Sequence, residues 1–122
     1  MKAKTIKVGI MPLEEYKKRT IAIAKGDYIP KKDEPKIWFE SLKSMAQILS
    51  NENQQLLKTI LEYNPQSLQE LENLTGRAKS NLSRTLKTLQ RYGIVQLDKK
   101  SRNVVPKVLV TKFNVEFGLV AA

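Results

Sequence analysis

Between Ser50 and Gly93, apolar residues recur three and four positions apart and are twice interrupted by helix-ending residues. This pattern leaves few folds open. Leu56, Leu57, Ile60 and Leu61 form one stripe. Ser50 stands where a cap is needed, and Asn64-Pro65 closes the segment, because the residue before proline is pushed out of the helical region. The spacing predicts a helix to about Tyr63. Ser67-Leu68-Gln69-Glu70 then matches a capping box, in which the serine accepts from a free backbone N–H and the glutamate reaches back. It opens a short helix with Leu68, Leu71 and Leu74 inward, ended by Gly76. A third stripe, Ala78, Leu82, Leu86 and Leu89, predicts a helix from about Ala78 to Tyr92, with Gly93 at its C-terminal turn. Ile94 to Leu97 and Val104 to Val110 follow as strands flanking a polar tip from Asp98 to Asn103.

The first half is less sharply patterned. Thr5 to Ile10 alternates and is rich in β-branched residues, as a strand requires. Pro12 suits a first helical turn, and Leu13, Tyr16, Thr20, Ile23 and Ala24 recur at helical spacing until Gly26-Asp27. Tyr28 to Pro35, with two prolines and four consecutive charges, is the clearest internal boundary. Beyond it Lys36 to Glu40 reads as a short strand, with Trp38 and Phe39 expected in the core or in dimer packing. Ser41 is placed to cap a helix carrying Leu42, Met45, Ile48 and Leu49. The expected division is a strand–helix extension over residues 1–49, suited to dimerisation or partner binding, and a domain over residues 50–122.

Charge is distributed unevenly. Residues 1–76 carry twelve basic and ten acidic side chains, whereas residues 77–112 carry ten basic side chains against one acid, Asp98. Nearly all of the formal net charge of +10 therefore lies in residues 77–112, as expected of a footprint for a polyanion.

Several function classes are disfavoured. The chain has no cysteine and no histidine, so thiolate nucleophiles, Cys/His zinc sites and the usual general base near neutral pH are missing. The acids are scattered, and no glycine-rich phosphate loop occurs among the five glycines. An enzyme is not expected, and no cofactor or metal is implied. No apolar run approaches the ~20 residues of a membrane helix, and Met1 to Met11 is too short and too alternating for a signal peptide. A soluble cytoplasmic protein is the expectation.

Helix, short capped helix, glycine turn, basic helix and basic hairpin in this order describe an α+β, mainly helical winged helix-turn-helix, a three-helix core plus a β-hairpin wing. If the leucines of the third helix are buried, its other face carries Lys79, Ser80, Asn81, Ser83, Arg84, Lys87, Thr88 and Arg91, with no acid and no large apolar residue. In such motifs the first turn of the second helix meets base edges. Lys79, Ser80, Asn81 and Arg84 are therefore the candidates for base reading. Asn pairs with adenine and Arg with guanine, each giving about 1–3 kcal/mol of discrimination. Arg77, Ser83, Lys87 and Arg91 are the candidates for phosphate contact. Lys99, Lys100, Ser101, Arg102 and Asn103 at the hairpin tip would reach an adjacent minor groove or its phosphates.

The run from Ser67 to Gly76, followed by Ser80-Asn-Leu-Ser-Arg-Thr-Leu86 and Leu89-Gln-Arg-Tyr-Gly-Ile-Val95, resembles MarR- and ArsR-like winged-helix regulators over about residues 50–112. Ser83-Arg84 and Gly93-Ile94-Val95 stand at the matching positions. With Phe39-Glu-Ser-Leu42 and Val105-Pro106 added, the whole chain is similar to small prokaryotic predicted regulators, some of them antitoxin-like. The resemblance implies a transcriptional regulator, a repressor or autorepressor that binds double-stranded DNA as a homodimer on a roughly palindromic site. Thr5 to Ile10 and the C-terminal strand Lys112 to Leu119 are the candidate dimer surfaces. An antitoxin with a toxin protein as partner is the alternative, and an RNA-binding or architectural nucleic-acid-binding protein a lesser one.

Overall fold

The computed structural model describes residues 4–119; Met1 to Ala3 and Val120 to Ala122 lie outside the described residues. Three serines set the starts of three of its helices. Ser41 Oγ accepts from the Ser44 N–H at 3.0 Å and opens α2, Leu42–Ile48. Ser50 Oγ accepts from the Asn53 N–H at 3.2 Å and opens α3, Asn51–Tyr63. Ser67 Oγ accepts from the Glu70 N–H at 3.0 Å and opens α4, Leu68–Thr75. Each bond satisfies a donor that the first helical turn leaves free. The Glu70 carboxylate does not close the box on Ser67; it reaches one residue further, to the Gln66 N–H at 2.7 Å. Gly76 ends α4 at φ 75°, a left-handed conformation open to glycine without steric cost.

The next helix, α5, Lys79–Arg91, has no side-chain cap and is one residue shorter at each end than its leucine stripe suggested. Ala78 is its N-cap and is exposed, so the buried stripe is Leu82, Leu86 and Leu89. Leu74 is also displaced from its expected inward position and is 43% exposed. A three-residue spacing slips about 60° per step around a helix of 3.6 residues per turn, so Leu68, Leu71 and Leu74 cannot all face one core. Leu71 takes the centre and is fully buried.

The hairpin runs through β3, Val95–Lys100, and β4, Asn103–Val108. Its tip is tighter than the polar run implied: Lys100 pairs with Asn103, and Ser101-Arg102 alone make the turn, with Ser101 at φ 56°. Pro106 lies opposite Leu97. The Leu109 N–H donates to the Ile94 carbonyl at 2.9 Å, and alternation from there points the Pro106 nitrogen away from β3. A proline is harmless at such a position because the ladder asks no donor of it.

A second sheet is parallel. It contains β1 (Thr5–Ile10), β2 (Ile37–Phe39) and β5 (Lys112–Glu116), in the order β2-β1-β5. Thr5 pairs with Lys112 and Val8 with both Ile37 and Val115. The last strand thus returns to the first, and one core spans residues on both sides of position 50. Val8, Ile37 and Phe39 share that core with Leu56, Leu71, Leu82, Leu86 and Ile94. β1 is the central strand, hydrogen-bonded on both sides, and is therefore excluded as an edge for dimer pairing.

The first helix, α1 (Leu13–Lys25), contributes no buried residue, and Leu13 is 50% exposed. Its periodicity signalled a helix without signalling burial. Arg19 ties it down: the guanidinium stacks on Trp38 at 5.2 Å and meets Glu34 at 3.4 Å. Tyr28 donates its hydroxyl to Glu34, and this bond is the main reason the Glu34 carboxyl sits below its ordinary pKa.

Trp38 crosses directly over Gly9. A Cβ there would fall 2.4 Å from Trp38 Cζ3 and 2.8 Å from Pro35 Cγ. Gly9→Ala is expected to cost about 1–3 kcal/mol as an overpacking change, read as a lower urea midpoint with unchanged slope. An unaltered midpoint would mean that the indole slides away without cost.

Among the described residues the architecture is α+β, with five helices and a hairpin beside a small parallel sheet. Among the described residues no helix is long and apolar enough to cross a membrane.

Candidate nucleic-acid interface

The candidate surface begins with how α5 is held. Leu82, Leu86 and Leu89 are fully buried, which leaves the helix no freedom to rotate. Lys79, Ser80, Asn81, Arg84, Lys87 and Arg91 are consequently exposed, and Ser83 is half-buried. Thr88 returns its hydroxyl to the Arg84 carbonyl at 3.1 Å and accepts from Arg91 Nη2 at 3.1 Å. Arg91 is thus steadied along the last turn, where a cation also suits the helix dipole. Arg84 and Lys87 are in no side-chain hydrogen bond or ion pair among the described residues.

Arg77 differs from the other phosphate candidates. Its guanidinium is spent on protein: Nε donates to Asn81 Oδ1 at 2.9 Å, Nη1 to Asn53 Oδ1 at 3.3 Å and Nη2 to Thr85 Oγ1 at 3.0 Å. One planar fork therefore fastens the start of α3 to two successive turns of α5. Asn53 extends the brace, because its Nδ2 donates to the Ile48 carbonyl at 2.9 Å. Neither Asn53 nor this role of Arg77 was legible in the chain, since Asn53 and Arg77 lie 24 residues apart.

The brace also sets Asn81. Its Oδ1 accepts from Arg77, which restrains the amide and leaves Nδ2 as a donor with no partner among the described residues. The second lone pair of Oδ1 remains available. Asn81 is thus oriented before any ligand arrives, and with it the first turn of α5.

Glu72 is the other residue missed from sequence. From α4 its Oε2 accepts from the Lys79 N–H at 3.1 Å, so an acid of the chain itself occupies the positive end of the α5 dipole. A face free of acid within its own helix therefore has a carboxylate beside its N-terminus. The signal could not come from helical periodicity, because the contact crosses the Gly76 turn.

On the hairpin Lys99, Lys100, Ser101, Arg102 and Asn103 are all exposed. Lys107 is paired with Asp98 at 3.2 Å, and Gln96 Nε2 donates to the same carboxylate at 2.7 Å. The Gln96 amide first, and the lysine second, hold Asp98 below the usual carboxylate range. The single acid of this region is thus absorbed by Lys107, and the tip carries uncompensated positive charge. Tyr92, the one aromatic residue between Arg77 and Val108, is half-buried and stacks on Phe39 with centroids 4.7 Å apart. Among the described residues no group of three or more acidic side chains could hold a metal ion.

No curated protein and no solved structure matches the chain. A family model does, HVO_A0114, over residues 48–115. That span starts at the last residue of α2 and takes in α3 to α5, the hairpin and all but the final residue of β5. Since it exceeds half the chain and contains the whole braced, basic surface, the protein belongs to the HVO_A0114 family.

Proposed function

We propose that this protein is a winged helix-turn-helix regulator that binds duplex DNA through α5 and the β3–β4 hairpin. The observation that carries the reading is the division of α5 itself. Three fully buried leucines lock one side, and the opposite side presents Ser80, Asn81, Arg84 and Lys87 to solvent without an acid among them. An α-helix fits the major groove, and residues in its first turns reach base edges. Asn81, oriented by Arg77, and Arg84 are the base-reading pair. Lys87 and Arg91 serve phosphates, and Arg77 acts as a brace behind Asn81. Lys99, Lys100 and Arg102 extend the positive surface along the backbone. Readers of single-stranded RNA use exposed aromatic faces for stacking, and the one aromatic residue of this region is stacked inward on Phe39. Duplex DNA is therefore favoured over RNA, and a repressor of its own promoter is the simplest regulator of this kind.

Fluorescence anisotropy with the gene's own upstream DNA and a scrambled duplex, across a salt series, tests the proposal. Binding tighter by ~10³-fold to the native fragment is expected of a specific site, with Arg84→Ala or Asn81→Ala each losing about 5- to 100-fold. Equal and steeply salt-dependent binding to both duplexes would mean that only the backbone is held. Absence of binding near physiological salt would sink the DNA reading.

A further inference from the structure

β5 is an edge strand. Its ladder with β1 uses only one side, and among the described residues no strand covers the other. The Lys112 N–H donates to the Lys4 carbonyl at 3.2 Å, so with the Thr5–Lys112 register the backbone groups of Lys112, Asn114 and Glu116 turn toward β1. Those of Phe113 and Val115 turn outward, where no strand among the described residues pairs with them. An exposed row of this kind is a template for another strand. The strand is also bordered by an apolar groove of about 500 Å³, lined by Met45, Leu49, Leu57, Leu61, Phe113 and Val115. Val115 is 42% and Phe117 54% exposed.

The order of side chains along β5 identifies the occupant. Lys112-Phe113-Asn114-Val115-Glu116 is basic, apolar, polar, apolar, acidic, a sequence complementary to its own reverse. We propose that β5 pairs antiparallel with β5 of a second copy about a two-fold axis at Asn114. In that register Lys112 lies opposite Glu116 of the second copy, and Phe113 lies opposite Val115. The outward backbone groups of Phe113 and Val115 then exchange about four hydrogen bonds, as directly opposed residues of an antiparallel ladder do. Asn114 faces Asn114 at the non-bonded position, consistent with its backbone being engaged by β1.

The same geometry argues against the neighbouring registers. An axis at Phe113 places Lys112 opposite Asn114, and one at Val115 places Glu116 opposite Asn114, so each forgoes both ion pairs. The axis at Asn114 also sets the two grooves side by side on one face and joins the two three-stranded sheets into one. Glu116 already lies 3.4 Å from Lys7 of its own chain; a carboxylate has lone pairs for both lysines. The pairing involves no residue of α5 or the hairpin and does not depend on what those elements bind.

Sedimentation velocity at micromolar concentration, with charge variants mixed in pairs, tests the register. The wild-type chain is expected to sediment as a dimer. Lys112→Glu places like charges opposite one another twice, as does Glu116→Lys, and each alone should weaken association roughly tenfold or more. Mixed together the two variants restore both ion pairs, and the heterodimer should recover the wild-type affinity. A folding defect in either variant would not be cured by mixing. Val115→Pro removes only an outward N–H; it should give a monomer with an unchanged far-UV circular dichroism spectrum. A monomeric wild-type chain overturns the proposal and leaves the groove to a different protein. Dimerisation indifferent to the charge variants, or a mixture that fails to recover, overturns it equally.

Discussion

Phe39→Ala is expected to lower the unfolding free energy by about 3–5 kcal/mol, the range for truncating a buried phenylalanine, and to do so in one transition. Phe39 is fully buried in β2, yet its ring stacks on Tyr92, the C-cap of α5. Its core neighbours include residues of the parallel sheet and of the three-helix unit alike. A cavity there removes packing from both. Urea titrations followed by far-UV circular dichroism and by Trp38 fluorescence should therefore shift together and stay superimposed, the behaviour of a single cooperative unit. Were residues 1–49 a separate extension, the tryptophan signal would move alone and the helical signal would keep its wild-type midpoint.

Arg77→Ala and Arg84→Ala should separate bracing from contact. Arg77 makes three hydrogen bonds to neutral partners that are themselves partly exposed. Its loss is expected to cost about 1–2 kcal/mol of stability, toward the lower end for charge-assisted bonds. It should also cost about tenfold or more in DNA affinity, because Asn81 is no longer oriented and α5 is less firmly tied to α3. Among the described residues the Arg84 side chain makes no hydrogen bond or ion pair and is exposed, so Arg84→Ala should leave stability within about 0.5 kcal/mol while weakening the proposed DNA binding comparably. Arg77→Lys should rescue little, since an ammonium cannot span three acceptors as a planar fork does. Thermal melts beside anisotropy titrations distinguish the two. If Arg77→Ala leaves the melting temperature unchanged while abolishing binding, Arg77 touches DNA directly and the bracing role is wrong.

What could be read from the chain was local. The serine caps of α2, α3 and α4 lie within three residues of the groups they satisfy, and the leucines of α5 repeat at the helix's own period, so element type and the exposed basic face were both legible. The tight hairpin tip was not: Asp98, Lys99 and Lys100 have poor strand preference alone and are carried into β3 by pairing with Val105, Val104 and Asn103. The exposure of α1 was not legible either, because helical spacing of apolar residues does not require a surface to cover them. The Arg77 brace and the Glu72 contact depend on side chains brought together across turns, and only the fold supplies those distances. The central place of β1 was hidden for the same reason, its second neighbour lying near the far end of the chain.

That last pairing governs the timing of assembly. Lys4 and Thr111, 107 positions apart, bond to one another. At synthesis rates of about 5–20 residues per second, roughly 5–20 s separate the emergence of β1 from that of β5. Helices form within microseconds and hairpins within tens of microseconds, so α3, α4, α5 and the β3–β4 ribbon can be in place while β1 still waits with one side covered only by the short β2. During that interval the nascent chain carries an apolar strand with an open edge. Completion of the sheet is thus a late, high-contact-order event, in which β5 closes on a strand synthesised well before it.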